Sequence, residues 1–246
     1  MTTLSCSNDD DTSEPIKEYF PTKIETINPT DSNSNGTLNI AYTNQNKISK
    51  LTYLNGLNTT LLEITYSTDN KITQIKSTKT TSSTNNQLNF NYIYTNNVIS
   101  QIIISNAIDA ETLQVMYNST TKTYTIDDGT TATNYFTYDD NGNLKEFVYG
   151  LSLSLNYNGQ KGIYNGIDNS FPLFFTSLLS GFEGTLIYSH FFSNKELISM
   201  GFSSGSLSTV IIRDSNNNIS KVDYKNPATN EVSFTSTIEY ELRTIN

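Results

Sequence analysis

The chain of 246 residues is nearly without the residue types on which most catalytic and metal sites depend. It has one cysteine, Cys6, one histidine, His190, and no tryptophan. A single cysteine excludes an internal disulfide, and a single histidine excludes a multi-histidine metal site. His190 lies in YSHFF, in phase with apolar residues, so we interpret it as a histidine near the core. We expect neither a cofactor nor a catalytic function.

Charge and long apolar runs are also scarce. Charged residues make up 16% of the chain, the net charge is −9, and Lys and Arg form no cluster that could neutralise a phosphate backbone. We therefore expect no nucleic acid partner. The longest apolar run, Phe171 to Leu179, is about half the length of a membrane-spanning helix and contains Pro172.

A degenerate unit recurs along the chain: an aromatic residue, a short polar loop, and apolar residues separated by two polar ones. Its copies are YTNQNKISKL (42–51), YSTDNKITQI (66–75), YTNNVISQI (94–102), YDDNGNLKEF (138–147) and RDSNNNISKV (213–222), the last without the aromatic. Asn, Asp and Gly tolerate the left-handed backbone of a tight turn, so each copy predicts a β-hairpin. The spacing of Ile48 and Leu51 predicts a β-bulge just after the turn.

The segments around these turns alternate between apolar and polar residues, as half-buried strands do. One such series is Phe147, Tyr149, Leu151, Leu153, Leu155 and Tyr157. A sheet with one apolar and one polar face is antiparallel. We predict an all-β fold, a long twisted antiparallel meander of β-hairpins that curls into a half-barrel or sandwich. It would form a single domain over residues 31–246.

One segment, DNSFPLFFTSLLSG (168–181), is not strand-like. It opens with N-cap candidates and a proline, and it closes with Gly181, a pattern typical of a short helix near residues 170–180. Its apolar residues have two interpretations, a buried plug at one end of the sheet or a patch that binds a partner. They are Phe171, Phe174, Phe175, Leu178 and Leu179.

The N-terminal segment suggests a cellular location. TLSC (3–6) is similar to a bacterial lipobox, and CSNDDD (6–11) resembles the acidic tag of surface-exposed lipoproteins of the Bacteroidota. The resemblance implies a lipid on Cys6, which would anchor the chain to the outer membrane with the domain facing the cell exterior. It also implies an export signal formed by Ser7, Asn8, Asp9, Asp10 and Asp11. The alternative is an unmodified thiol on a disordered tail.

Residues 1–30 as a whole fit a lipobox remnant and a flexible tether, because they contain acids, Pro15, Pro21 and Pro29 and few large apolar residues. The turn YDDNGNL (138–144) resembles the YD-type repeats of bacterial surface proteins. A second stretch, YNGQKGIYNG (157–166), stands ahead of an apolar segment. Together the two motifs give most of residues 39–242 a resemblance to uncharacterised Bacteroidota lipoproteins. The resemblance implies a fold and a surface location and no catalytic residues.

We therefore expect a non-catalytic cell-surface lipoprotein, an accessory or scaffold subunit that docks on an integral outer-membrane protein complex. The alternative is a carbohydrate-binding surface module with a glycan ligand, in which tyrosines stack on sugars. The third interpretation is a hydrolase that uses paired acids such as Asp127 and Asp128. The segments DDNGN at 139 and DSNNN at 214 lack the glycine and glutamate of an EF-hand calcium loop, so we interpret them as turns.

Overall fold

The computed structural model describes residues 15–129, 134–164, 170–181 and 193–245. Within these residues sixteen antiparallel strands form one closed barrel, accompanied by one α-helix and a short 3-10 turn at Ser32–Ser34. The strands are β1 (Lys17–Ile27), β2 (Gly36–Tyr42), β3 (Ile48–Asn55), β4 (Asn58–Tyr66), β5 (Ile72–Thr80), β6 (Asn85–Thr95), β7 (Val98–Ser105), β8 (Ala110–Asn118), β9 (Thr123–Asp127), β10 (Asn134–Tyr138), β11 (Leu144–Val148), β12 (Ser152–Lys161), β13 (Lys195–Phe202), β14 (Gly205–Arg213), β15 (Ile219–Lys225) and β16 (Val232–Thr244). The helix is α1 (Phe171–Leu179), between β12 and β13.

The strands follow a simple up-and-down order. Each strand pairs with its neighbours in the sequence, and β1 pairs with β16 to close the circle, from Lys17 opposite Thr244 to Ile27 opposite Thr235. The predicted all-β antiparallel meander with one short helix is thus confirmed. The half-barrel or sandwich becomes a closed barrel, because this last pairing covers both edges that a meander would otherwise expose.

Strand β1 corrects the predicted domain boundary. Residues 17–27 are not part of a tether, since Phe20 and Ile24 are buried in the core at 8% and 0% exposure. Pro21 lies where the register with β16 shifts, and such bulges tolerate a proline within a strand. The barrel domain therefore begins before residue 31.

All five predicted hairpins are present. Asn46, Asn70, Gly142 and Asn217 occupy the same place in four of the turns, with φ values of 61°, 70°, 76° and 63°. The predicted bulge is also confirmed, because the β2–β3 register shifts between Ala41 and Tyr42. Short-range turn chemistry is therefore enough to specify these connections.

The alternating series from Phe147 to Tyr157 is not one strand, as the pattern suggested, but two. The chain reverses at Gly150, which has a φ of 67°, and the Tyr149 N–H donates to the Leu151 carbonyl oxygen at 2.9 Å. Phe147 then pairs with Leu153 across the hairpin. The turn preserves the period of two, so the apolar residues stay on one face and the sequence pattern hides the reversal.

The inner face of the barrel wall is apolar, whereas the outer face is mixed, since exposed apolar residues such as Val210 and Ile212 lie among polar ones. One interior row crosses five strands, from Tyr124 through Phe136, Phe147 and Leu153 to Phe202. One exterior row crosses the neighbouring positions of six strands and consists of Ala41, Lys50, Glu63, Lys76, Asn89 and Ser105. This row lacks the continuous apolar surface that the outward positions of a membrane-spanning barrel carry.

Candidate functional site

Helix α1 lies in the barrel interior. The ring of Phe171 stacks on Tyr124 at a centroid distance of 4.4 Å, and the ring of Phe174 packs against Phe147 at 5.0 Å. The Tyr92 hydroxyl donates to the Pro172 carbonyl oxygen at 2.9 Å. These contacts attach the helix to the inner faces of β6, β9 and β11.

The partner-patch interpretation is wrong for the three phenylalanines of this helix. Phe171, Phe174 and Phe175 are between 0% and 1% exposed, so a partner cannot reach them. Leu178 and Leu179 are half-buried and pack against the same core. The helix is the buried plug that the sequence offered as the alternative, and a binding surface has to be sought elsewhere.

The two mouths of the barrel differ in what they carry. The terminal mouth holds Lys17, Thr244 and the turns at 43–47, 67–71, 96–97, 119–122, 139–143 and 214–218. The distal mouth holds the turns at 28–35, 56–57, 81–84, 106–109, 149–151, 203–204 and 226–231. Both ends of the barrel domain thus leave through the terminal mouth.

A ladder of tyrosines braces the terminal mouth. In each case a tyrosine hydroxyl donates to the carbonyl oxygen of a residue on the neighbouring strand. The bonds are Tyr42 to Pro21, Tyr66 to Ile48, Tyr94 to Ile72, Tyr157 to Leu144 and Tyr240 to Ile219, at 2.7 to 3.0 Å. The sequence predicted Tyr42, Tyr66 and Tyr94 as strand ends, but only the barrel shows which carbonyl each one reaches.

The surroundings of these tyrosines, which are buried and lie near cations, suit a structural role. Burial raises the pKa of Tyr66 to about 12, and it raises the pKa of Tyr94 further. The Lys47 and Lys71 ammonium groups each lie 5.3 Å from the ring centroid of the neighbouring tyrosine, Tyr66 and Tyr94 respectively. A phenol with a raised pKa stays protonated at neutral pH, so its hydroxyl is available as the donor of the ladder bond.

The acidic turns are explained by their own hydrogen bonds. Asp139 Oδ1 accepts the N–H groups of Asn141 and Asn143, and Asp139 Oδ2 accepts from the Asn143 side chain. The paired acids predicted for a hydrolase lie in another turn, where Asp127 accepts the Gly129 N–H and Asp128 accepts from a side-chain amide. Over the part of the chain that is described, no group of three or more His, Cys, Asp or Glu side chains could hold a metal.

A cavity of about 620 Å³ opens at the distal mouth. It lies between two hairpins, β13–β14 and β15–β16. The pairing of β14 with β15 ends at Ser208 opposite Lys225, whereas the β13–β14 ladder continues to Phe202 opposite Gly205. The two hairpin tips therefore splay apart, and the space between them is the cavity. The lining residues are Phe202, Ser204, Gly205, Ser206, Leu207, Asn226, Pro227, Ala228, Ser233 and Phe234.

The cavity combines an apolar wall with an uncharged polar rim. Phe202, Leu207 and Phe234 are half-buried and pack against the core, and Phe234 pairs with the fully buried Tyr224. Serine hydroxyls and the Asn226 amide lie among them, and none of the described lining residues is charged. Mouths of β-barrels are common ligand sites, and this one has their usual make-up. Sequence reasoning missed it because it joins residues from three strands, β13, β14 and β16, and from two turns.

The residues expected to carry the lipid and the export signal are Cys6, Ser7, Asn8, Asp9, Asp10 and Asp11, and they lie outside the described residues, as does His190. In the described ranges, helices long and apolar enough to cross a bilayer do not occur.

Comparison with known proteins identifies the fold. No family model matches the chain, and no curated protein matches it. A solved porin-like protein from Bacteroides uniformis is similar over 90% of this chain and 98% of its own, with 12% sequence identity and a TM-score of 0.51. A porin-like protein from Bacteroides vulgatus matches over 91% of this chain and 99% of its own, with 11% identity and a TM-score of 0.42. The chain therefore shares the barrel fold of the first of these proteins.

Proposed function

We propose that this protein is a non-catalytic binding protein of the outer-membrane surface, anchored by a lipid on Cys6, with its binding site in the cavity at the distal mouth. The observation that carries the proposal is the position of this cavity. Cys6 precedes β1, and β1 begins at the terminal mouth. A lipid on Cys6 would hold the terminal mouth toward the bilayer, and the cavity would then face away from it.

A charged row on the outer wall supports an anchored barrel over an inserted one. Lys50, Glu63 and Lys76 lie side by side on the outer face of β3, β4 and β5. Lysine and arginine on a lipid-facing wall cost about 2–4 kcal/mol each at the bilayer midplane, and glutamate costs less. Water solvates these groups without that penalty, so a tether is the mode of membrane attachment that suits this barrel.

The anchor is tested in the native host with the full-length protein. Wild type, Cys6→Ala and the neighbouring control Ser5→Ala are compared for incorporation of labelled fatty acid and for recovery in the membrane fraction. We expect Cys6→Ala alone to lose both. Membrane recovery and labelling that persist in Cys6→Ala would refute the anchor.

The direction in which the domain faces is a separate measurement. Replacing Asp9, Asp10 and Asp11 together by Ala should leave the lipid in place and reduce the digestion of the protein by protease added to intact cells. If the triple variant is digested as fast as wild type, the acidic run is not the export signal.

Docking on an integral outer-membrane complex stays a prediction. Because helix α1 is buried, it cannot supply the contacts with such a complex. The outer wall and the exposed turns would have to supply them. Purification in mild detergent from the native host, followed by mass spectrometry, measures it directly. A membrane protein recovered in stoichiometric amount with wild type and lost with Cys6→Ala would support docking, and recovery of the chain alone would contradict it.

A further inference from the structure

The chemistry of the distal cavity defines a class of ligand, an inference that rests on the proposed function. We infer that the cavity binds an uncharged, mainly apolar small molecule that carries one or a few hydroxyl or carbonyl groups. The inference follows from three properties of the lining: its aromatic wall, its rim and its charge.

The wall supplies most of the contact surface. Phe202 and Phe234 line the cavity from the two splayed hairpins, and Leu207 and Pro227 add further apolar surface to the lining. Burying apolar surface stabilises a complex by roughly 25 cal/mol per Å² before the costs of association. An aliphatic or aromatic body in this space would gain that stabilisation, whereas a fully hydroxylated sugar would have to be desolvated against it.

The rim supplies few hydrogen-bonding groups. The Asn226 side-chain oxygen accepts the Ala228 N–H at 2.9 Å within the turn, which leaves the Asn226 amide N–H₂ to donate to a ligand. Three serines, Ser204, Ser206 and Ser233, are also among the lining residues, and a serine hydroxyl can donate one hydrogen bond and accept two. Four small polar groups suit one or two polar atoms on a ligand, fewer than the hydroxyls of a sugar ring require.

Charge selects against ionic ligands. None of the described residues that line the cavity is acidic or basic, so a charged ligand would lose hydration without gaining a counter-charge. The chain as a whole carries a net charge of −9, which adds repulsion against anions. The cavity therefore favours neutral molecules over fatty acid anions and phosphates.

The test uses the purified full-length chain and the neutral dye N-phenyl-1-naphthylamine, whose fluorescence rises in an apolar site. Ala228→Arg places a cation in the cavity rim, at a solvent-exposed turn position that should not disturb folding. Ala110→Arg makes the same change at an exposed position of the same mouth outside the cavity. We expect the Kd to rise by roughly tenfold or more in Ala228→Arg only, with the melting temperature unchanged in both variants.

Two results would overturn the inference. Dye binding that is absent in wild type, or unaffected by Ala228→Arg, shows that the cavity does not take neutral apolar molecules. A parallel array of neutral glycans distinguishes this failure from failure of the proposed function. Glycan capture that Ala228→Arg abolishes would keep the cavity as the binding site and replace its ligand class with carbohydrate.

Discussion

The burial of helix α1 makes a quantitative prediction for Phe171→Ala. The Phe171 side chain is 0% exposed, and its ring lies 4.4 Å from Tyr124, 5.3 Å from Phe136 and 5.6 Å from Phe175, measured between centroids. Truncating a fully buried phenylalanine costs about 3–5 kcal/mol, because the transfer free energy is lost and a cavity remains. That is a large part of the roughly 5–15 kcal/mol by which domains are stable.

The assay is equilibrium unfolding in guanidinium chloride, followed by circular dichroism. Ile108→Ala is the control, because Ile108 is 96% exposed and a surface truncation should change the free energy of unfolding by less than about 0.5 kcal/mol. Phe171→Leu keeps most of the buried volume and remains measurable if the alanine variant fails to fold. A cost for Phe171→Ala as small as that of Ile108→Ala would refute the plug and restore the surface patch.

Three further predictions concern the barrel wall and the terminal mouth. Gly162→Ala should cost about 1–3 kcal/mol in unfolding free energy, because an added Cβ would lie 2.6 and 2.7 Å from two backbone carbonyl oxygens. Gly159→Ala is the control: an added Cβ there has nothing within 4 Å, so this variant should not show the cost in the same titration. Tyr66→Phe removes one ladder bond and should lower the denaturation midpoint by an amount equivalent to about 1 kcal/mol. The control Tyr117→Phe should change the midpoint little, and equal shifts in the two variants would count against the ladder. Because burial raises the pKa of Tyr66 to about 12, above the value of about 10 for an unfolded tyrosine, its contribution to stability is fully present below pH 10 and is lost as the pH rises to 12. Unfolding free energies measured from pH 8 to pH 12 should therefore fall above about pH 10, and a flat profile there would contradict the burial of the ladder.

The hairpins could be predicted because their causes are local. A residue such as Asn70 adopts a left-handed conformation within a turn of a few residues, and the Ser67 hydroxyl accepts the Lys71 N–H that closes it at 3.2 Å. The backbone hydrogen bonds of this turn, from Asn70 N–H to the Ser67 carbonyl and from Ser67 N–H to the Lys71 carbonyl, join near neighbours in the sequence. The alternation of polar and apolar residues then assigns each strand an inner and an outer face.

Barrel closure and the tether boundary could not be predicted in this way. Strand β1 carries a proline and polar outward residues, so its sequence alone does not predict a strand. It becomes a strand because β16 supplies the partner: Ile24 pairs with Ile238, and the Lys23 ammonium lies 3.2 Å from the Glu239 carboxylate. These contacts join residues more than two hundred positions apart, and neither local propensity nor spacing encodes such a pairing.

The sequence by itself determined the all-β class, the antiparallel pairing, five of the turns and the existence of the helix, because each depends on a few neighbouring residues. The tertiary structure alone decided that the meander closes, that the helix lies inside, and that the β13–β14 and β15–β16 hairpins splay to open a cavity. Those features depend on which distant surfaces meet, and the free energy of such contacts belongs to pairs of segments that are far apart in the chain.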